Sequence, residues 1–233
     1  MRTAGTLLPG RYVPSLRQTC NEMGLAISLI DLRWGVTVNQ ATSGEVMNIC
    51  LSEVTQSQYF VGFLGLRYGW RPAKDDLAET AFERFPFINS YIPGRSVTEC
   101  EFIFGALGWG SESVSPCKRA FIYNRADKWC DDMPPDVLAY SKETEAFALM
   151  RLRDLKRRAR DRFAECQRLK GGTDSGAVLP YMEVNRDYDT PADFAEMMYK
   201  DVLAAIKKDY GEMAVHVSSE LDAQFVAHVA FAK

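Results

Sequence analysis

Two kinds of hydrophobic spacing alternate along the 233-residue chain: short unbroken apolar runs, and longer stretches in which apolar residues recur every three or four positions. Strands and helices in turn are predicted, and hence an open, mainly parallel α/β sheet flanked by helices. The clearest run is Tyr59-Phe60-Val61-Gly62-Phe63-Leu64-Gly65, rich in aromatic and β-branched residues and closed by glycine. It reads as a central strand buried on both faces. Leu25–Ile30 and Lys118–Arg125 are further strand candidates, each followed by or ending in polar residues. Val178–Val184 contains Pro180, which cannot donate to a ladder, so an edge strand is predicted there.

Helical spacing predicts helices from Pro14 to about Met23, from Thr42 and Ser43 through Gln56, near Leu77–Phe85, and from Val97 to about Leu107. Two long ones follow, Glu143–Leu169 with Phe147, Met150, Leu152, Leu155 and Phe163 as its apolar positions, and Pro191–Tyr210 with Phe194, Met197, Met198, Val202 and Ile206. A last helix is predicted over about Ser218–Phe231, presenting Phe225 and Val229 to a neighbour, and it reads as leading on into a further region. Met1–Arg11 has no periodicity and reads as a loose terminus or as the remnant of a longer upstream region. A shift in composition after Ser141 separates an α/β domain over 1–140 from a long helix, a short edge strand and a helical extension over 141–233.

Polar groups collect where the predicted strands end. Asp31-Leu32-Arg33-Trp34 follows the first strand, Leu66-Arg67-Tyr68-Gly69-Trp70 follows the central one, and Ser96-Val97-Thr98-Glu99-Cys100-Glu101 opens the next helix behind a Ser/Thr cap. In an open α/β sheet this rim is where ligands bind. Asp31, Arg33, Arg67 and Glu101 are therefore expected to converge within hydrogen-bonding reach. A purely structural reading of the same residues has Asp31 and Arg33 pairing to hold a loop plugged by Trp34, Glu99 capping its helix, and Glu101 pairing with Arg67 or Arg95.

Charge and cysteine usage narrow the classes. With 28 basic and 31 acidic residues the formal charge is -3, which predicts no general attraction to nucleic acid or to an anionic membrane. Arg151, Arg153, Lys156, Arg157, Arg158, Arg160 and Arg162 crowd one helix, but Asp154, Asp161 and Glu165 are interspersed, as on a solvated face. Six cysteines without a CxxC pair, and only two histidines, argue against zinc and against a secreted disulfide framework. Buried free thiols are expected, and no metal. No segment has the roughly 18 consecutive apolar residues of a membrane span, and the first residues do not look like a signal peptide.

Four ordered motifs carry a resemblance: Asp31-Leu32-Arg33-Trp34-Gly35-Val36-Thr37, Ile49-Cys50-Leu51-Ser52-Glu53, Gly65-Leu66-Arg67-Tyr68-Gly69-Trp70 and Ser96-Val97-Thr98-Glu99-Cys100-Glu101. Together they resemble the TIR-like domain that precedes the NACHT ATPase in nephrocystin-type TPR proteins and in telomerase-associated WD-repeat NACHT proteins. Ala227-His228-Val229-Ala230-Phe231-Ala232 is similar to the linker that leads into NACHT. The resemblance implies a TIR- or flavodoxin-like sheet. That family's usual first strand, with its Ser-Ser-Thr-Phe-type motif, has no counterpart in Met1–Arg11, so an edge left open or filled by a partner is expected.

For function the resemblance implies a non-catalytic interaction scaffold of a NACHT-type signalling or ciliary protein. It would bind protein partners in the cytoplasm, in a ciliary or cytoskeletal assembly, with no cofactor. The alternative it implies is a TIR-like NAD(P) glycohydrolase or nucleotide-binding domain. Glu101, or Glu99, would then steady a developing oxocarbenium ion, Trp34, Tyr68 and Trp70 would wall the nicotinamide, Arg33 or Arg67 would hold the pyrophosphate, and Ser96 and Thr98 would complete the rim.

Overall fold

Five parallel strands build one sheet in the computed structural model, which describes residues 12–32, 44–109, 115–126, 128, 134–168, 179–216 and 225–232. They are β1 (Leu25–Asp31), β2 (Tyr59–Leu64), β3 (Arg119–Arg125), β4 (Tyr181–Tyr188) and β5 (Phe225–Ala232), and their order across the sheet is β1-β5-β2-β3-β4. The helices are α1 (Val13–Glu22), α2 (Val46–Thr55), α3 (Glu79–Arg84), α4 (Val97–Phe102), α5 (Pro135–Ser141), α6 (Ala146–Arg168) and α7 (Pro191–His216).

Every residue of β2 is buried, as a continuous apolar run in the middle of a parallel sheet requires. Because side chains alternate across a strand, its even and odd positions feed two cores. Phe60 and Leu64 join Met47, Leu51 and Val54 of α2, Phe102 of α4 and Leu155 and Ala159 of α6 on one face. Tyr59, Val61 and Phe63 join Leu16 and Cys20 of α1 and Phe194, Met198, Val202 and Ile206 of α7 on the other. The expected stripe of the Pro191–Tyr210 helix is thus its buried face, and residues 141–232 contribute to both layers and to the sheet itself.

The helix expected from Val97 to Leu107 is present but changes pitch, α4 passing into a π-turn at Ile103–Leu107. Two aromatic rings and two glycines lock it to β2. A Cβ on Gly62 would lie 2.3 Å from Cζ of Phe102, and one on Gly105 would lie 2.4 Å from Cδ2 of Phe60, so each ring occupies the space above the other's glycine. The rings themselves meet edge to face with centroids 5.2 Å apart. Phe87, in the insert before α4, stacks on Phe104 and Trp109, with centroids 5.5 and 4.9 Å away, so the insert's aromatic residues pack it onto the domain.

Three expectations are corrected. Phe225–Ala232 is strand, not helix: apart from His228 this interior parallel strand is apolar and shows no alternation of polar and apolar residues, and its alanines suit a helix equally well. The sheet position left by the expected missing first strand is not an open edge, since β5 occupies the interior between β1 and β2. On α6 the buried positions are Ala148, Leu152, Leu155, Ala159 and Cys166, while Phe147 and Met150 are exposed. Small side chains let α6 approach the sheet, and Phe147 instead lies under the Arg71 guanidinium, 5.1 Å from its ring centroid. β4 lies at the sheet edge as expected, starting after Pro180.

Candidate functional site

The rim at the C-terminal ends of β1 and β2 is built by the turn after β2 and the start of α4. Ser96 caps α4, its hydroxyl accepting the Glu99 amide at 3.1 Å. In an ordinary capping box the Glu carboxylate would accept the Ser96 amide in return. Here Tyr68 stands between them: its hydroxyl accepts the Ser96 amide at 3.2 Å and donates to Oε2 of Glu99. Burial, followed by the bond to Glu99, raises the Tyr68 phenol above its ordinary range. The Val97 amide donates to the Trp70 carbonyl at 3.1 Å, fixing the turn to the helix at a second point.

Glu99 is completely buried and collects cations. Its Oε1 accepts from Arg95 at 2.7 Å, from Arg151 at 2.6 Å and from Arg158 at 3.2 Å. Arg151 and Arg158 are two turns apart on α6 and flank its buried stripe, so one carboxylate ties the long helix to the rim. Arg95, expected as a partner for Glu101, belongs to this cluster. Arg157, pairing with Asp154 and Asp161, lies on the expected solvated face, whereas Arg162 is mostly buried, pairing with Glu165 and donating to the Pro180 carbonyl at 3.3 Å. Sequence reading missed the roles of Arg151 and Arg158. Their seven-residue spacing beside Leu152 and Leu155 was the available signal.

Glu101, two residues on, faces a different environment. It is 4 % exposed, on the wall of a cavity of about 600 Å³ whose lining also includes Cys50, Arg67, Trp70, Thr98 and Arg125. Burial pushes its carboxyl up to about 8, although the hydrogen bond from the Cys50 thiol pulls the other way. Burial and the Glu101 charge raise the Cys50 thiol too. Burial thus disfavours charge on both groups, while two guanidinium groups and a half-exposed indole line the same cavity. Such a lining suits an anionic or phosphorylated ligand held by arginine, with a neutral carboxyl able to donate a hydrogen bond.

Of the residues singled out from the sequence, Arg67, Trp70, Thr98 and Glu101 share this cavity. Tyr68, Ser96 and Glu99 are buried in the adjoining hydrogen-bond cluster. Asp31 ends β1, whose next residue, Leu32, reaches the cavity lining. Arg33 and Trp34 lie outside the described residues. Cys20, Cys50, Cys100, Cys117 and Cys166 are buried free thiols, and Cys130 lies outside the described residues. No helix among the described residues is long and apolar enough to cross a membrane.

Comparison with known proteins places these features in a context. The sequence profile of a family described as "Domain of unknown function (DUF4062)" matches residues 15–104, which hold β1, β2, α4 and the rim. Telomerase protein component 1 of Rattus norvegicus is 32 % identical over 212 residues, 88 % of this chain and 8 % of the relative. Its Mus musculus counterpart is 36 % identical over 155 residues, 65 % of this chain and 6 % of that protein. NACHT domain- and WD repeat-containing protein 1 of Mus musculus is 34 % identical over 76 residues, 30 % of this chain and 5 % of that protein. The chain thus spans less than a tenth of the length of these curated relatives. No solved structure matches it.

Proposed function

We propose that this α/β unit is a non-catalytic, TIR-like protein-interaction module of a NACHT-type scaffold. Its place would be a cytoplasmic signalling, ciliary or cytoskeletal assembly. The observation that carries this reading is the state of the two rim carboxylates. Glu99 is fully buried and committed to Tyr68 and three arginines. Glu101 is almost completely buried beside the Cys50 thiol, and burial disfavours its charged form. A carboxylate that is to steady a cationic transition state must be charged and reachable. Similarity to a NACHT domain- and WD repeat-containing relative, and the small share of each relative that the chain spans, support the multidomain setting.

A second reading, nucleotide binding with NAD(P) cleavage, is favoured by one observation: Glu101 shares the cavity wall with Arg67, Trp70 and Thr98. One experiment separates the two. The purified chain is incubated with NAD or NADP and the products are resolved by chromatography, with Glu101→Gln alongside. The scaffold reading expects no nicotinamide release above that of the Glu101→Gln variant. Turnover that this substitution abolishes, while the variant melts as cooperatively as the parent, would overturn it in favour of the enzyme.

A further inference from the structure

The sheet order contains a gap that one segment fills. β1 and β2 are consecutive strands joined through α2, yet they do not pair with one another. Each pairs in parallel with β5, which matches β1 over seven positions, Leu25↔Phe225 to Asp31↔Phe231, and β2 over four, Tyr59↔Val229 to Gly62↔Ala232. Take β5 away and two strand edges face each other across about 9.6 Å, twice the usual interstrand spacing. Residues 59–62 are buried in the intact sheet, and without β5 their amide and carbonyl groups on that edge would lose their ladder partners. β2, β3 and β4 pair in parallel without β5, and both helical layers come from residues 12–216, with α1 packing Leu25 and Ile27 of β1 together with α7. β5 is therefore an insert into a frame that the rest of the chain defines.

The frame also specifies what can enter. Neighbouring residues of parallel strands share a face. Register places positions 225, 227, 229 and 231 in line with Leu25, Ile27, Leu29, Tyr59 and Val61, on the side of α1 and α7. Positions 230 and 232 stand in line with Phe60 and Gly62, on the side where Phe102 of α4 already fills the space above Gly62. The sequence has Phe, Ala, Val and Phe at the first four positions and alanine at both of the others.

We propose that the position between β1 and β2 is a strand-binding site. It accepts an extended polypeptide segment running parallel to both neighbours, apolar at alternate positions and small at the two that meet α4, and β5 is its intramolecular occupant. Recognition is main-chain pairing on two edges at once, with side-chain size as the filter, so a strand of this pattern on another polypeptide fits the same place.

The test keeps the folded chain. A site-specific protease sequence is placed within residues 217–224, the protein is folded, and the connection is cut in the presence of excess labelled peptide spanning residues 223–233. Expected are incorporation of one peptide per chain and loss of amide protection at 25–31 and 59–62 when the freed strand is removed, restored by added peptide. A peptide with Ala230→Phe and Ala232→Phe should bind roughly tenfold more weakly or worse, the scale of an overpacked contact. A strand-exchanged dimer of the uncut chain at high concentration would support the site with a second copy as donor. Undisturbed protection after strand removal, failure of the peptide to enter a chain that stays folded, or precipitation that excess peptide does not prevent would each overturn the proposal.

Discussion

Tyr68 takes the place of half a capping box, its hydroxyl accepting the Ser96 amide and donating a hydrogen bond to Glu99, so that the helix-start carboxylate is released to bind arginine instead of backbone. The interposed phenol joins the rim turn, the start of α4 and the long helix α6 in one buried network. Its members act together, since each hydrogen bond fixes the geometry of the next.

Removing the hub should therefore be costly. Glu99→Ala leaves three guanidinium groups facing a site with no countercharge, and a loss of about 3–5 kcal/mol is expected, the scale for breaking a buried ion pair. Tyr68→Phe strands the Ser96 amide and one Glu99 oxygen and should lose about 1–3 kcal/mol. Arg157→Ala, on the solvated side of the same helix, should leave the urea midpoint essentially unchanged. Urea denaturation of the three variants checks the ranking.

Glu101 predicts a pH dependence with a definite sign. Its carboxyl titrates near 4.5 when unfolded and at about 8 in the fold, so between those values the native state holds the extra proton. Its contribution is fully present below about pH 4.5 and declines as pH rises toward 8. Glu101→Gln keeps the shape and cannot ionise. The variant's melting temperature should accordingly gain on the parent's as pH is raised from 5 to about 8.5, and a constant difference across that range would refute the assignment.

Asp209 near the end of α7 predicts the opposite trend. Burial opposes its charge, but hydrogen bonds from Arg119 and Tyr59 and the charges of Arg119 and Lys118 outweigh it and hold the carboxyl below its ordinary range. Its contribution is present above the unfolded pKa and is lost as pH falls through the folded one. Asp209→Asn should flatten the acid limb of the stability profile, followed by circular dichroism from pH 6 downward.

The glycine and ring interlock can be tested by compensation. Gly62→Ala drives a methyl into Phe102 and should destabilise the chain by about 1–3 kcal/mol. Combining it with Phe102→Leu should cost less than the sum of the single changes, and strict additivity in a double-mutant cycle would show that the two sites are not in contact.

Much of this architecture can be read from local pattern. The run at Tyr59–Leu64 and the stripe of Phe194, Met198 and Val202 announce a central strand and its covering helix, because burial on a fixed period leaves its mark in adjacent residues. Asp31, Arg67, Tyr68 and Trp70 are legible because they end or directly follow strands, and Ser96 to Glu101 because they open a capped helix. What stayed hidden depends on distant segments. Glu99 meets Arg151 across fifty-two positions, and only Arg95, four residues before it, lay within helical reach. Glu101 stands out at its helix start, but its neighbour Cys50, fifty-one positions earlier, looks ordinary in its own helix. Phe225–Ala232 misled for a different reason, since a strand enclosed by two others needs no polar face, and Ser218-Ser219-Glu220 ahead of it imitates a helix start.

The pairing of Leu25 with Phe225, two hundred positions later, also constrains how the molecule is made. During synthesis β1 and β2 leave the ribosome long before the segment that joins them, so the nascent chain carries two unsatisfied strand borders until translation has passed Ala232. That interval favours holding by chaperones and a late, concerted closure over the stepwise folding open to sheets assembled from neighbouring hairpins.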